Sequence, residues 1–274
     1  MRVELGEFEF SELWEQVFYK KLSQYPSITD WEMRCLAEFA QYEAAHGRSV
    51  TLCAPEKEIE EAARQALQTP DRFLSASRPE KITECTACHQ QGCLTRFVCH
   101  TSSPEDAASI LRGGSLLSAV NARGLPDTVL MAQERNAAGD PADFFHYIMF
   151  SWGNCQAGDR LVMERKLGAM PTEEDLSTGF TPGVRFYFRY ETLDALPNAV
   201  HDGFLPIKVQ DELPLEPYLY ALVIPEGERE ELEACVPEAL RGRTYYIKND
   251  CRDIWDWSDK VYRFIETLDA KSKL

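Results

Sequence analysis

The sequence predicts an α+β fold, in which a mostly antiparallel central sheet follows a helical N-terminal segment. Two observations support this prediction. Residues 1–78 carry apolar side chains at helical spacing, together with residues suited to capping helices. From residue 79 the pattern changes to short runs rich in aromatic and β-branched residues, which Gly and Pro turns separate. We therefore expect a helical segment at residues 1–78 and an α+β domain at residues 79–274.

Three helices are expected in the N-terminal segment. Ser11 opens the first periodic run, and Thr29 is one of two residues that can cap a second helix, which stops near Gly47. A third helix is expected from Pro55, where alanines and an isoleucine recur at helical spacing. Residues 75–81 are polar and contain a proline, a composition typical of a linker.

Short apolar runs after the linker predict the strands of the sheet. They lie at residues 96–99, 147–150, 184–188 and 218–224. The runs at residues 94–98 and 218–224 are expected to be central strands of one sheet, because both are apolar and contain no proline. Helices are expected near residues 104–112, 226–239 and 253–268.

Charge and cysteine usage restrict the class of protein. The chain has 29 basic and 45 acidic side chains and a net charge of −16, which repels phosphate at long range and disfavours general nucleic-acid coating. A local group of Arg160, Arg165 and Lys166 leaves nucleic acid open as a substrate. With no membrane-spanning stretch and an acidic N-terminus unlike a signal peptide, we expect a cytoplasmic protein. The nine cysteines then favour thiols, metal ligands or a nucleophile over a disulfide framework.

One cysteine group has spacing that is typical of half a zinc site. Cys85 and Cys88 form a CxxC pair, and Cys93 follows closely. Thiolates two residues apart can chelate zinc from one tight turn. A second CxxC is absent, so the fourth ligand would be His89, Cys99 or a more distant cysteine. The sequence leaves two alternatives, a structural zinc site and a set of free thiols.

The segment of residues 96–118 is the most informative part of the sequence. A strand leads into His100 and Thr101, and Ser103 is placed to cap a short helix that opens with Pro104. A strand that ends where a helix begins projects side chains and free backbone N–H groups together into a cleft. The alternative is a strand-end histidine that hydrogen-bonds a nearby carbonyl group.

This pattern of strand, His-Thr, capped helix and second strand resembles the first motif of the ADP-ribosyltransferase superfamily. Within this superfamily, the pattern looks most like that of the DarT-type nucleic-acid-modifying transferases, the poly-ADP-ribose polymerases and the tRNA 2′-phosphotransferases. The resemblance implies an ADP-ribosyltransferase-like fold and NAD as the substrate. It also implies that His100 hydrogen-bonds a ribose hydroxyl of NAD, with Thr101 beside it.

A second segment is similar to the superfamily's last motif, in which an acidic residue leads a strand. Here the acidic residue is Asp202, followed by Gly203 and then by an apolar strand near residues 218–224. The family usually has glutamate at this position, so Asp202 is shorter by one methylene. The resemblance implies that Asp202 is the catalytic carboxylate. The alternative is an ordinary Asp-Gly turn.

The family's middle motif is a strand with aromatic or small polar residues, which stacks on nicotinamide. In residues 144–152 this implies Tyr147 and Ser151, which an even separation places on one face of a strand. Tyr187 is a further aromatic candidate, on a strand whose alternation separates a buried face from a functional or solvated face. Arg185 and Arg189 share the face of Tyr187, where they can hold a phosphate or simply lie exposed.

Taken together, the resemblance implies transfer of ADP-ribose from NAD to an acceptor that is a protein, a nucleic acid or a small molecule. Two other functions stay open. Cys155, followed along the chain by His201 and a carboxylate such as Asp202, has the residue order of several thiol hydrolases, but it lacks a recognisable nucleophile signature and a buried structural cysteine is the more common explanation. The third function is a non-catalytic interaction module that retains a transferase-like fold.

Overall fold

The structure is a computed structural model that describes residues 1–9, 11–83, 92–133 and 141–271. Its strands are β1 (Arg2–Gly6), β2 (Glu12–Trp14), β3 (Val17–Lys21), β4 (Thr51–Cys53), β5 (Lys81–Ile82), β6 (Cys93–Leu94), β7 (Phe97–Ser102), β8 (Ser115–Leu117), β9 (Tyr147–Met149), β10 (Ser151–Trp152), β11 (Val184–Arg189), β12 (Ala199–Val200), β13 (Lys208–Gln210), β14 (Glu212–Pro214), β15 (Ala221–Pro225) and β16 (Thr244–Ile247). Its α-helices are α1 (Asp30–Ala45), α2 (Lys57–Gln68), α3 (Pro104–Gly113), α4 (Ala119–Arg123), α5 (Asp127–Gln133), α6 (Ala157–Leu167), α7 (Tyr190–Asp194), α8 (Leu215–Tyr218), α9 (Arg229–Leu232) and α10 (Ile254–Lys271). Short 3-10 helices cover Pro70–Arg72, Ala142–His146, Glu226–Glu228, Glu233–Cys235 and Glu238–Arg243. No helix among these residues is long and apolar enough to cross a membrane.

The chain folds into two compact units, and each unit is built from separate stretches of sequence. The first unit combines Met1–Thr95, Ser118–Met149 and Pro197–Asp211. The second combines Arg96–Leu117, Phe150–Leu196 and Glu212–Leu274. The predicted boundary between residues 78 and 79 falls inside the first unit.

The first unit begins with strands, so the prediction of a helix from Ser11 is wrong. Its four-stranded sheet has the order β2-β3-β1-β4, with β1 parallel to both β3 and β4, and β2 antiparallel to β3. Val3, Leu5 and Phe18 alternate with more exposed residues and are buried, which is the two-residue period of a strand. Glu15 and Gln16 adopt left-handed backbone angles in the turn between β2 and β3.

The two helices predicted later in this segment are confirmed. Helix α1 begins after Thr29, whose hydroxyl accepts from the backbone N–H of Glu32, while the Glu32 carboxylate accepts from the Thr29 N–H. This reciprocal capping box satisfies two N–H groups that the helix cannot pair itself. Leu36 and Phe39 of α1 are buried in the apolar core of the unit, and Ile59 and Ala63 of α2 join them there.

The second unit contains the mostly antiparallel central sheet that the sequence predicts. Its strand order is β10-β7-β11-β15-β16, and only the β15-β16 pair is parallel. Strands β7 and β15 are both interior, as expected of the runs at residues 94–98 and 218–224, and β11 lies between them. Both begin later than predicted, because Leu94 belongs to β6, which pairs with β5, and Tyr218 ends α8. β15 is buried along its full length, which is typical of a continuous apolar strand that is covered on both faces.

The strand predicted through residues 147–151 is interrupted. Tyr147 belongs to β9, in the β12-β13-β9 sheet of the first unit, whereas Ser151 belongs to β10 in the second unit. The two residues therefore do not share one strand face, because the pairing of β9 ends at Met149 and that of β10 begins at Ser151.

Gly203 offers a direct test of the packing in the first unit. Its φ is +68°, and a Cβ at this position would overlap the carbonyl oxygen of Cys35 and lie 2.8 Å from the backbone nitrogen of Phe39. We expect Gly203→Ala to destabilise the protein by about 2 kcal/mol or more beyond the cost of left-handed backbone itself. Gly47→Ala is the matched control, because Gly47 has φ +70° with nothing within 4 Å of the added Cβ. Equal urea midpoints for the two variants would contradict this packing.

Candidate functional site

His100 lies near the end of β7, on the sheet of the second unit. Its register partner across the sheet is Phe186 of β11, and the imidazole centroid is 6.4 Å from that ring and 6.1 Å from the ring of Phe150. Both phenylalanines are buried, whereas His100 is half-buried. The sheet therefore holds the imidazole against two rings and leaves part of it exposed.

The local structure around His100 follows the sequence prediction. The hydroxyl of Ser103 accepts from the N–H of Asp106 at 3.2 Å and caps α3, and Gly114 follows the last residue of this helix in the left-handed conformation. Strand β8 follows directly and pairs with β14. Strand, capped helix and strand are thus confirmed as local structure, because the capping chemistry is complete within this segment.

Thr101 projects to the opposite face of β7 from His100, since successive residues of a strand alternate. Its hydroxyl lies 3.7 Å from the sulfur of Cys99, which shares that face. A Cβ on either Gly158 or Gly183 would collide with the Thr101 side chain, so both glycines allow close packing against it. The Thr101 side chain therefore packs against these two glycines, and the His100 side chain lies on the opposite face of β7.

A buried ion pair occupies the face that carries Thr101. Arg185 is fully buried, and its Nε donates to the Asp159 carboxylate on α6 at 3.0 Å. A second guanidinium nitrogen also contacts that carboxylate and the hydroxyl of Ser258 on α10. Burial acts against the charge, but the adjacent Asp159 keeps the pKa of Arg185 well above its ordinary value. The expectation that Arg185 lies on a functional or solvated face is wrong, because α6 and α10 cover it.

Tyr187 belongs to the same buried cluster. Its hydroxyl accepts from Arg185 at 3.0 Å and donates to the carbonyl oxygen of Gly153 at 3.0 Å. Burial raises the pKa of Tyr187. Ser151 donates to the carbonyl of Cys99 at 3.3 Å, and its register partner is also Cys99. Tyr187 and Ser151 are therefore brought together with Thr101, and not with His100.

Asp202 lies in the first unit and forms an Asp-Gly turn. Its Oδ1 accepts from the backbone N–H groups of Phe204 at 3.0 Å and Leu205 at 2.7 Å, and Gly203 supplies the left-handed residue. Its Oδ2 lies 2.9 Å from the ammonium nitrogen of Lys208 on β13. Both side chains are almost completely buried. The carboxylate is thus already neutralised by a cation and by two backbone donors.

Three aromatic rings surround the Lys208 ammonium. The nitrogen lies 3.8 Å from the ring centroid of Tyr42, 3.9 Å from that of Phe144 and 4.6 Å from that of Tyr147. Burial lowers the pKa of Lys208, and the neighbouring Asp202 acts in the opposite direction. Cation–π attraction and one carboxylate replace the water that the ammonium has lost. The family resemblance implies that Tyr147 stacks on nicotinamide, but in the structure its ring lies against the Lys208 ammonium.

A second charged group adjoins this cage. Asp143 accepts from Arg48 at 2.7 Å and from the hydroxyl of Tyr42. Burial would raise the pKa of Asp143, but these hydrogen bonds hold it below its ordinary value. The imidazole of His46 lies 3.5 Å from Asp143 and 3.3 Å from the Tyr147 hydroxyl. Sequence reasoning missed this network, whose one local signal is Lys208 six residues after Asp202.

The predicted metal and thiol residues are only partly within the described structure. Cys85 and Cys88 lie outside the described residues, and Cys93 is buried. No group of three or more His, Cys, Asp and Glu that could hold a metal ion occurs in residues 1–9, 11–83, 92–133 and 141–271. The zinc site remains a prediction.

Cys155 is buried, with its sulfur 3.7 Å from Gln156 Oε1, and it belongs to the second unit, whereas His201 belongs to the first.

In comparisons with known proteins, no family model, curated protein or solved structure matches this chain. Its function must therefore be argued from its own residues.

The Asp202–Lys208 pair can be tested by a double substitution. Asp202→Asn leaves a buried ammonium without its carboxylate, so we expect it to lower the free energy of unfolding by about 3–5 kcal/mol. Adding Lys208→Met removes that charge while filling similar volume, and most of the lost stability should return. Urea unfolding of both variants measures the difference. A double variant no more stable than Asp202→Asn would show that the pair is not the reason for the loss.

Thiol labelling tests the burial of Cys99 on the Thr101 face of β7. Burial raises the pKa of Cys99 to about 12, so almost none of this thiol is ionised at neutral pH and it should resist alkylation. Cys53 is exposed and should react fast under the same conditions. Peptide-resolved mass spectrometry after brief iodoacetamide treatment compares them. Similar labelling of Cys99 and Cys53 in the native protein would be inconsistent with this burial.

Proposed function

We propose that the chain binds NAD at the His100 face of the second unit and transfers its ADP-ribose to an acceptor. One observation carries this proposal. His100 is half-exposed on an interior strand that runs directly into a capped helix, and two buried rings hold its imidazole. This is the placement that the resemblance to ADP-ribosyltransferases implies for the histidine that binds ribose. A fixed imidazole can donate to or accept from a ribose hydroxyl.

The proposed reaction exchanges one glycosidic bond for another. The bond between the ribose C1′ and the nicotinamide nitrogen breaks, and nicotinamide leaves with the electron pair. A nucleophilic atom of the acceptor then bonds to C1′ and gives up its proton to solvent. Positive charge develops on the ribose ring between these events, and a carboxylate beside it would lower the barrier.

Asp202 is the carboxylate that the sequence resemblance nominates for this role. In the described structure it is buried, paired with Lys208 and held by two backbone N–H groups. This observation favours a second candidate function, in which the chain is a non-catalytic module that retains NAD binding. The two candidates differ in whether NAD is consumed.

Thermal protection tests the NAD site. A ligand that binds only the folded state raises the melting temperature with its saturation, so millimolar NAD should stabilise the wild-type protein. His100→Ala should lose most of this protection, because one hydrogen bond to ribose contributes on the order of 1 kcal/mol. His146→Ala is the matched control, since His146 is another partly exposed histidine and belongs to the first unit. An unchanged melt of the wild type at millimolar NAD would contradict the site.

Nicotinamide release distinguishes the two candidates. If Asp202 stabilises the developing charge, Asp202→Asn should lower release by about a hundredfold or more while NAD protection persists. Because this variant also leaves Lys208 unpaired, the same comparison is made between Lys208→Met and Asp202→Asn/Lys208→Met. Release is measured first with water and then with cell extract as acceptor. NAD protection without release from the wild type under either condition identifies the non-catalytic module, and equal release from the matched pair assigns Asp202 to structure alone.

A further inference from the structure

The three aromatic rings around Lys208 contact one another directly. The ring centroids of Tyr42 and Phe144 are 6.2 Å apart, and those of Tyr42 and Tyr147 are also 6.2 Å apart. Tyr42 and Phe144 belong to the buried apolar core of the first unit, and Tyr147 packs against it. The three rings and the carboxylate of Asp202, here called the Lys208 cage, all belong to this unit. The rings therefore have packing contacts that do not involve Lys208.

Polar partners outside the Lys208 cage hold its two tyrosines. The Tyr42 hydroxyl donates to Asp143, and the Tyr147 hydroxyl lies 3.3 Å from His46 Nε2. The Nδ1 of His46 lies 2.8 Å from the carbonyl oxygen of Tyr42. A carbonyl only accepts, so Nδ1 carries a proton, and Nε2 of the neutral ring accepts from the Tyr147 phenol. Both phenols are thus oriented by groups other than the Lys208 ammonium.

The Asp202 carboxylate is also held independently of Lys208. Its Oδ1 accepts from the backbone N–H groups of Phe204 at 3.0 Å and Leu205 at 2.7 Å. This leaves Oδ2 directed at the Lys208 ammonium, at 2.9 Å. Rings and carboxylate are therefore all positioned by contacts that would remain if the Lys208 side chain were shortened.

The chemistry of the Lys208 cage selects an organic ammonium ion. The ammonium nitrogen lies 3.8, 3.9 and 4.6 Å from the three ring centroids. The faces of aromatic rings carry partial negative charge and attract such a cation. One carboxylate offers few oxygen atoms to a hard metal ion, since Mg²⁺ and Ca²⁺ take about six or more oxygen ligands. An alkyl chain on the ammonium also fills the apolar space between the rings.

We propose that the Lys208 cage is a preformed binding site for a primary alkylammonium ion, and that the Lys208 side chain itself occupies this site in the structure. A free alkylammonium ion of matching length then binds when that side chain is cut back. n-Propylammonium has the atoms of a lysine side chain beyond Cβ, so it replaces what Lys208→Ala removes. The inference does not depend on the proposed transfer of ADP-ribose.

Rescue of Lys208→Ala in the full chain tests the proposal. This variant leaves Asp202 buried without a cation and opens space between the rings, so its urea midpoint should fall. n-Propylammonium chloride should raise the midpoint in a saturable way, because a ligand that binds only the folded state stabilises it with its saturation. 1-Propanol has the same length without the charge and should bind about tenfold or more weakly. Potassium chloride at equal concentration controls for ionic strength.

Three further variants separate charge, ring contact and volume. Lys208→Met fills the same space, so n-propylammonium should leave its midpoint unchanged relative to potassium chloride. Asp202→Asn/Lys208→Ala keeps the rings without the carboxylate and should lose the preference for the ammonium over the alcohol. Phe144→Leu/Lys208→Ala removes the ring face at 3.9 Å and keeps an apolar side chain, so it should weaken n-propylammonium binding more than 1-propanol binding.

Equal stabilisation of Lys208→Ala by n-propylammonium and 1-propanol would overturn the proposal, as would equal stabilisation of Lys208→Ala and Lys208→Met by n-propylammonium. If Lys208→Ala is unfolded in potassium chloride, recovery of the native circular dichroism spectrum on adding n-propylammonium takes the place of the urea midpoint. In that case, absence of recovery with n-propylammonium, or equal recovery with 1-propanol, would overturn it.

Discussion

The buried ammonium of Lys208 is the interaction on which the organisation of the first unit depends. This one charge contacts all three stretches of sequence that form the unit: Tyr42 comes from the first, Phe144 and Tyr147 from the second, and Asp202 from its own. Removing an ammonium from water is costly, and one carboxylate rarely compensates for it alone. Three rings at short distance supply the rest. An apolar side chain could fill the same space without requiring particular partners. The charge, in contrast, requires its carboxylate and its rings together. We infer that the pair contributes more to selecting this arrangement of the three stretches than to net stability.

The second unit solves a similar problem with a different cation. Arg185 on the central sheet binds Asp159 of α6 and Ser258 of α10, so one guanidinium fastens two helices to the sheet. Its planar set of donors suits a site with several acceptors, which a lysine could not satisfy in the same geometry. Thr101, Tyr187 and Ser151 all belong to the face that this cluster fills, and His100 belongs to the other face of β7. The face that the helices cover thus determines which of these polar residues are part of the buried cluster.

Patterns contained within one short segment could be predicted from the sequence. The capping of α1 by Thr29 and of α3 by Ser103 uses donors and acceptors three residues apart, so composition alone reveals it. The strands at the N-terminus were missed because Ser11 and the residues after it also fit a helical opening, and β2 is stabilised mainly by pairing with β3. The site was predicted least well. Arg185 and Asp159 are separated by 26 positions, and Tyr42 lies far from Lys208 in sequence, so neither partnership has a local signal. A strand with arginines on one face is predicted to expose that face to solvent. Nothing local in the sequence indicates that Asp159 pairs with Arg185 in the interior.

The charge balance around Asp202 separates binding from catalysis. A carboxylate lowers a barrier only by interacting more strongly with the transition state than with the ground state. Asp202 already interacts with Lys208 at 2.9 Å and with two backbone N–H groups, so much of its charge is compensated before any substrate is present. A developing oxocarbenium ion would have to compete with that ammonium for the same oxygen atoms. The proposed transfer through Asp202 would therefore require the Lys208 pair to weaken. His100 is half-buried against two rings, and the proposed hydrogen bond to a ribose hydroxyl would be made by the exposed part of its imidazole. Among the described residues, the Asp202–Lys208 pair is thus the feature that separates the proposed binding at His100 from the proposed transfer.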